Sequence, residues 1–157
     1  MYQWSTRGTK IERCIKAGKD RFTVTCAISC NKIIYYTFIK NSSNAINFYD
    51  FLNGLRNELG RDNYQKYYYL LDNASIHRAK IIKEYCRIVN INLIYNAPYM
   101  PEFNPIERVF SVIKNDISKK DNTSLSKIKY NTIDAFDKIT DTHLTNFYKK
   151  SLKFCRI

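Results

Sequence analysis

Two acidic residues stand in sequence contexts that suit metal-dependent chemistry. Asp72 directly follows Lys66–Leu71, an aromatic and aliphatic run of strand length, and Glu107 follows a loop punctuated by prolines. An aspartate that ends such a strand lies at the carboxyl edge of an α/β sheet, where these folds place their ligands. Two carboxylates at one edge can share a divalent cation, because hard cations prefer oxygen ligands. Phosphodiester chemistry is therefore our leading hypothesis.

The residues around Glu107 predict a rigid support for its carboxylate. Pro105 suits the first position of a helix, with Asn104 as the capping residue and Glu107 in the first turn. The prolines before it exclude regular structure from the preceding loop. Asn104 is accordingly a supporting residue, which fixes the helix start on which Glu107 stands.

Two further polar residues follow Asp72 before an amphipathic helix predicted over residues 77–89. Asn73 is expected to orient the turn through side-chain hydrogen bonds. For His77 two interpretations stay open: a contact with substrate or with the surroundings of a metal, or a simple helix-start residue. Both residues are treated as supporting members of the candidate site.

The motifs themselves resemble a known family. D-N-A-S-I-H begins at Asp72, and 34 residues then separate Asp72 from Glu107 in P-Y-M-P-E-F-N-P-I-E. This pattern resembles the catalytic core of the mariner superfamily of DDE transposases and of their bacterial insertion-sequence relatives. Three other segments resemble that family in the same order: Trp4–Gly8, Ala27–Ser29 and Asn44–Leu52.

The resemblance implies a ribonuclease H-like fold, a mixed sheet flanked by helices. In that family three acidic residues hold two divalent cations, Mg²⁺ or Mn²⁺, for DNA cleavage and strand transfer. Asp72 and Glu107 match the second and third acids, so both are expected to be catalytic residues and metal ligands.

The first acid of the family has no match here. The family places it on the first strand, ahead of the tryptophan-containing segment, and Trp4 lies three residues from Met1. Asp20 falls in a turn-like segment and Asp50 on a helix-like one, so neither replaces it. We therefore expect metal binding to be weak in this chain.

The same comparison predicts a gap in the sheet between the strands at 21–29 and 66–71, because the first strand is central in the family. Either an upstream segment is absent from this chain, or the segment before Arg21 takes its place. We expect residues 1–157 to form one catalytic domain, incomplete at its amino end, with 125–157 as its carboxyl-terminal helical part.

The charge of the chain indicates a polyanionic partner. Its 157 residues include 26 Lys and Arg against 14 Asp and Glu, a net charge of +12. Such an excess favours nucleic acid through counterion release, although any single cation can equally be a solvated surface residue. The basic residues nearest the two acids in sequence are the candidates for phosphate contacts: Arg78, Lys80, Lys83, Lys114, Lys119 and Lys120.

The remaining composition indicates where the protein is expected to act and which residues are expected in its core. No run of about 18 apolar residues occurs, so a membrane partner is not expected. Five cysteines without paired spacing predict reduced core thiols in an intracellular protein, which would be nuclear in a eukaryotic host. On the central strand, Tyr67, Tyr68 and Tyr69 are expected to be mostly core.

Strand and helix patterns alternate along the chain and predict an α/β/α layered domain. Predicted strands lie at 21–29, 33–39, 66–71 and 91–95, and predicted helices lie at 44–59, 77–89 and 106–118, followed by a linker at 119–124 and two helices beyond it. The favoured function is a DNA transposase catalytic domain. Its expected partner is DNA, and a homodimer in a transposition complex is the assembly to be considered. The alternative is a decayed or domesticated remnant that binds nucleic acid without catalysis.

Overall fold

The computed structural model describes residues 21–60, 63–98 and 100–154. Strands and helices alternate through the first part of the chain, and three helices follow. The elements are β1 (Phe22–Ile28), β2 (Ile33–Lys40), α1 (Ala45–Leu59), β3 (Tyr68–Leu71), α2 (Lys80–Ile88), β4 (Asn92–Tyr95), α3 (Pro105–Ser118), α4 (Leu125–Asp137) and α5 (Asp141–Phe154). The predicted order of elements is confirmed. The segment before Arg21, with Asp20, lies outside the described residues.

The strands form two separate pairs. β1 and β2 are an antiparallel hairpin with Thr25 opposite Thr37, and β3 and β4 are parallel with Tyr69 opposite Leu93. Among the described residues no strand joins β1 to β3, so the structure contains two two-stranded sheets. The gap predicted between these strands is thus present in the described part of the chain.

Helix α1 illustrates how local sequence sets these elements. Asn44 caps its start and exchanges hydrogen bonds with Asn47, and Gly60 ends it with φ at +83°, a conformation that favours glycine. Its apolar residues recur every three or four positions and bury one face: Phe48, Phe51, Leu52 and Leu55. Asp50 lies on this helix, as the sequence predicts.

Two hydrophobic cores lie on opposite faces of the hairpin. The first joins α1, α2 and β3, with Leu52 and Ile82 fully buried. The second joins the hairpin to α3, α4 and α5 around Val109 and Leu144. Helices therefore cover the hairpin on both faces, which confirms the layered α/β class.

The expectation for the tyrosine run is wrong in part. Tyr69 is buried, but Tyr68 is 73% exposed and Tyr67 is 43% exposed. Leu70, which points the same way as Tyr68 by strand alternation, is also exposed. No residue of β3 belongs to the second core, so among the described residues this face of the strand lacks the helical cover that the hairpin has.

The cysteines also differ from one another. Cys26 and Cys86 are buried thiols, and burial raises the pKa of Cys26 to about 12 and that of Cys86 to about 11. Cys30 is a free thiol but is exposed, which corrects the prediction of core burial for that residue. Cys14 and Cys155 lie outside the described residues. No helix within the described ranges is long and apolar enough to cross a membrane.

Candidate active site

A groove of about 580 Å³ separates β1 from β3, and both predicted carboxylates line it. β1 forms one wall and residues 67–72 form the other. Apolar side chains of α1, the first turn of α3 and Tyr148 of α5 also line it. Asp72 and Glu107, which come from different elements 34 residues apart, thus face one space. His77 and Asn104 line the same groove.

Asp72 sits immediately after β3, and one of its oxygens is held from two directions. The backbone N–H of Ala74 donates a hydrogen bond to Asp72 Oδ1 at 2.9 Å, which closes a tight turn. His77 Nδ1 lies 2.6 Å from the same oxygen. The Asp72 side chain remains 53% exposed, so it is accessible from the groove.

The imidazole of His77 is the buried partner in this contact, with 16% of its side chain exposed. Its ring packs on Phe48 of α1, with the ring centres 4.2 Å apart. Nδ1 is buried and makes no hydrogen bond of good direction. Because an unpaired buried nitrogen is costly, we take the close approach to Asp72 Oδ1 as the interaction that accounts for this placement. Helix α2 begins only at Lys80, so His77 precedes it.

Asn73 ties together the ends of the two parallel strands. Its amide donates a hydrogen bond to the carbonyl of Asn96 at 2.7 Å, and Arg78 donates one to its Oδ1. The Arg78 guanidinium also lies over the Tyr95 ring, 4.5 Å from its centre. These contacts agree with the orienting role that the sequence predicts for Asn73.

Glu107 stands in the first turn of α3, as predicted. The Asn104 side chain accepts a hydrogen bond from the backbone N–H of Ile106 at 3.3 Å, and Pro105 occupies the start of the helix. Asn104 and Pro105 are buried, whereas Glu107 is exposed to the groove. The helix start is therefore fixed by packing while its carboxylate stays accessible.

The candidate phosphate-binding residues fall into two groups. Four lysines are exposed on helices or just beyond them: Lys80, Lys83, Lys114 and Lys119. Arg78 is exposed but already bonded to Asn73. The structure corrects the prediction of a phosphate contact for Lys120. This residue forms ion pairs with Asp116 and Asp134 and so joins α3 to α4. An ammonium held in this way is not free to contact a phosphate.

The donor set of the groove fits a hard cation in type. Asp72 and Glu107 provide carboxylate oxygens, which Mg²⁺ and Mn²⁺ prefer. Within residues 21–60, 63–98 and 100–154, no group of three His, Cys, Asp or Glu side chains is placed to hold a metal ion.

The whole arrangement matches a known family. A model described as DDE superfamily endonuclease matches residues 1–129. The chain belongs to this family. It is 26% identical over 115 residues to the transposable element Tc3 transposase of Caenorhabditis elegans, a match that covers 68% of this chain. That match spans about a third of the length of the relative, at 34%.

Solved structures of transposases share the fold. The Mos1 transposase catalytic domain with raltegravir and Mg has a TM-score of 0.76 at 21% identity, over 85% of this chain and 71% of that one. A pre-cleavage Mos1 transpososome has a TM-score of 0.78 at 16% identity, over 98% of this chain and 48% of that one. These likenesses establish the ribonuclease H-like fold that the motifs predict.

Proposed function

We propose that this chain is catalytic-domain material of a DNA transposase, which cleaves and joins DNA strands with divalent cations held by Asp72 and Glu107. The observation that carries the proposal is their convergence: carboxylates from the end of β3 and the start of α3 line one groove. Membership of the DDE superfamily endonucleases supports it, because the matched residues, 1–129, include both carboxylates.

Asp72 and Glu107 are the residues that would hold the cation, either Mg²⁺ or Mn²⁺. If held there, it would supply activation of the attacking oxygen and stabilisation of the leaving oxygen of a phosphodiester. Related Mos1 structures are described with Mg and with Mn, which supports this choice of metal. Two carboxylates give less negative charge than three, so we expect weak binding in residues 1–157 by themselves.

DNA is the proposed partner. The net charge of +12 favours a polyanion, and four exposed lysines on α2, on α3 and at its end are the proposed phosphate contacts: Lys80, Lys83, Lys114 and Lys119. Structures described as Mos1 paired-end and strand-transfer complexes support a DNA-bound state, and a homodimer is proposed with it.

Metal binding by the two acids is the direct test. Mn²⁺ titration of the full chain, followed by electron paramagnetic resonance, should show weak binding that Asp72→Asn or Glu107→Gln each abolish. These substitutions keep the shape of the side chain and remove its charge. His143→Phe, on α5 and outside the groove, is the matched control. Binding that survives both carboxylate substitutions would contradict the proposed site.

DNA binding is tested separately by fluorescence anisotropy with a labelled duplex. We expect weak affinity without sequence preference, falling at least about tenfold between 50 and 200 mM salt because phosphate contacts dominate. Substituting Lys80 and Lys83 together should reduce the salt dependence. Salt-independent binding, or none at low salt, would instead point to a protein partner.

A further inference from the structure

We infer that His77 is a positioning residue for Asp72: it holds Oδ1 so that Oδ2 alone is presented to a cation in the groove. The inference rests on the proposed function, and it assigns His77 a task that the motif alone leaves open. Its basis is the 2.6 Å approach of His77 Nδ1 to Asp72 Oδ1.

The two oxygens of Asp72 have different surroundings. Oδ1 accepts the Ala74 backbone hydrogen bond and faces His77 Nδ1. Among the described residues, no hydrogen bond or ion pair reaches Oδ2. A carboxylate fixed in this way has one oxygen committed to the protein and one left for a ligand. Partners of this kind orient the residues that bind metals in many proteins.

His77 is itself held in place, so it can act as a support. Its ring packs on Phe48, a residue of α1 with 2% exposure. Its backbone N–H donates to the carbonyl of Ala74 at 3.0 Å, and its carbonyl accepts from the Tyr95 hydroxyl at 3.1 Å. These contacts come from α1, the turn and β4, so moving His77 means disturbing three parts of the fold.

Without this support Asp72 has more freedom. The carboxylate is half exposed, and the Ala74 N–H would be its one remaining described contact. Rotation about the last side-chain bond would then exchange the two oxygens, because such torsions are broad. The cation would meet a mobile ligand, and the Ala74 hydrogen bond would open more often.

The experiment compares three variants of the full chain. His77→Phe keeps a ring on Phe48 and removes both nitrogens, and His77→Asn returns an amide nitrogen close to the position of Nδ1. His143→Phe is the matched control, because His77 and His143 are the two histidines of the chain. Mn²⁺ affinity is measured by electron paramagnetic resonance, and exchange of the Ala74 amide by nuclear magnetic resonance in the absence of metal.

For His77→Phe we expect Mn²⁺ affinity to fall about tenfold, the usual effect of losing a partner behind a metal ligand. Exchange of the Ala74 amide should become faster, because its hydrogen bond to Asp72 Oδ1 would open more often. His77→Asn and His143→Phe should stay close to the parent in both measurements. If His77→Phe does not fold, His77→Gln takes its place, because its longer side chain carries the amide past the Nδ1 position.

The two measurements separate this inference from the proposed function. Unchanged Ala74 exchange in His77→Phe would overturn the positioning role, whatever the metal does. If Asp72→Asn leaves Mn²⁺ binding intact, the proposed metal site fails, and Ala74 exchange alone then decides whether His77 holds Asp72. Equal loss in His77→Phe and His77→Asn would also overturn the inference, since the returned nitrogen should rescue it.

Discussion

The two walls of the groove hold their carboxylates in different ways. Asp72 belongs to a corner in which β3, β4, α1 and the intervening turn are bonded to one another through side chains. Glu107 stands on α3, whose main contacts run to α4, α5 and β1. The acids thus sit on separate hydrophobic cores. Their relative placement depends on what connects those cores across the groove.

The hairpin is the described element that both cores share. Cys26 of β1 lies in the second core, while the neighbouring Ala27 packs against the first. Across the groove, however, β1 and β3 face each other without a strand between them in the described residues. Pairs of strands are marginally stable alone. We conclude that each carboxylate is well supported locally, and that the groove is the weakest connection within the site.

Filling the groove gives the largest predicted effect. The family resemblance places a strand that ends in aspartate ahead of Trp4, and we expect residues 1–157 without it to show little or no Mg²⁺-dependent nicking of plasmid DNA. A longer chain that carries such a strand upstream should nick DNA and should lose this activity with Asp72→Asn or Glu107→Gln.

The control for that experiment is the same upstream strand with its aspartate replaced by asparagine. It should still protect the β1 and β3 amides from hydrogen exchange but should not restore nicking. Strong nicking by residues 1–157 alone, lost on either carboxylate substitution, would show that another ligand completes the site and that the missing acid is not required.

Two adjacent tyrosines of β3 test whether one face of this strand is packed and the other open to the groove. Tyr69→Ala should destabilise the fold by about 3–5 kcal/mol, because it empties part of the first core and removes the hydroxyl bond to the Tyr64 carbonyl. Tyr68→Ala should change stability by about 0.5 kcal/mol or less, since the side chain is 73% exposed. Urea unfolding measures both.

A large loss in Tyr68→Ala would mean that this side of β3 is covered in solution. That result would show that the β3 wall of the groove is packed against another part of the protein. The groove would then not be the weak connection between the two cores. A small loss in Tyr69→Ala would contradict the burial that defines the first core.

The sequence predicted those features that depend on residues close together in the chain, such as helix starts and the order of strands and helices. Asn104 and Pro105 specify a helix start by themselves, so the support of Glu107 was predictable. The order of strands and helices followed from apolar spacing in the same way. The β3 strand proved shorter than Lys66–Leu71, because a 3-10 turn occupies Tyr64–Lys66.

Contacts between distant segments were beyond that reasoning. Exposure of Tyr68 depends on whether another part of the fold covers that face of β3, which no local pattern of the tyrosine run reports. Lys120 resembles any surface lysine in sequence, yet its partner Asp134 lies on the next helix. The approach of His77 to Asp72 required the Phe48 ring from α1 behind it. Only the fold brings such residues together.

The packing of α1 on the hairpin gives a smaller effect. A Cβ at Gly54 would lie 2.5 Å from the Tyr35 hydroxyl oxygen, too close for the present packing. Gly54→Ala should gain about 1 kcal/mol of helix propensity but lose about 1–3 kcal/mol to overpacking. We therefore expect a net loss near 1 kcal/mol, about the midpoint of that difference, measured by urea unfolding.

A double-mutant cycle supplies the control. In a Tyr35→Ala background the clash is gone, so Gly54→Ala should become neutral or stabilising. If Gly54→Ala destabilises equally in both backgrounds, the two residues are not in contact, and the close packing of α1 on β2 is wrong.

The smallest predicted effect concerns acid and the core that carries Glu107. Lys120, with Lys138, lowers the pKa of both Asp116 and Asp134, and these ion pairs join α3 to α4. A lowered carboxyl pKa in the folded state adds stability above the ordinary carboxyl range near pH 4, and that stability is lost as pH falls through the folded pKa. Acid should therefore loosen the junction between α3 and α4. Hydrogen exchange from pH 6 to pH 3, corrected for intrinsic rates, should show protection falling in these two helices.

Lys120→Met should weaken this pH dependence while leaving Ala74 exchange at neutral pH unchanged. An unchanged pH dependence in Lys120→Met would mean that these ion pairs do not hold the two helices together.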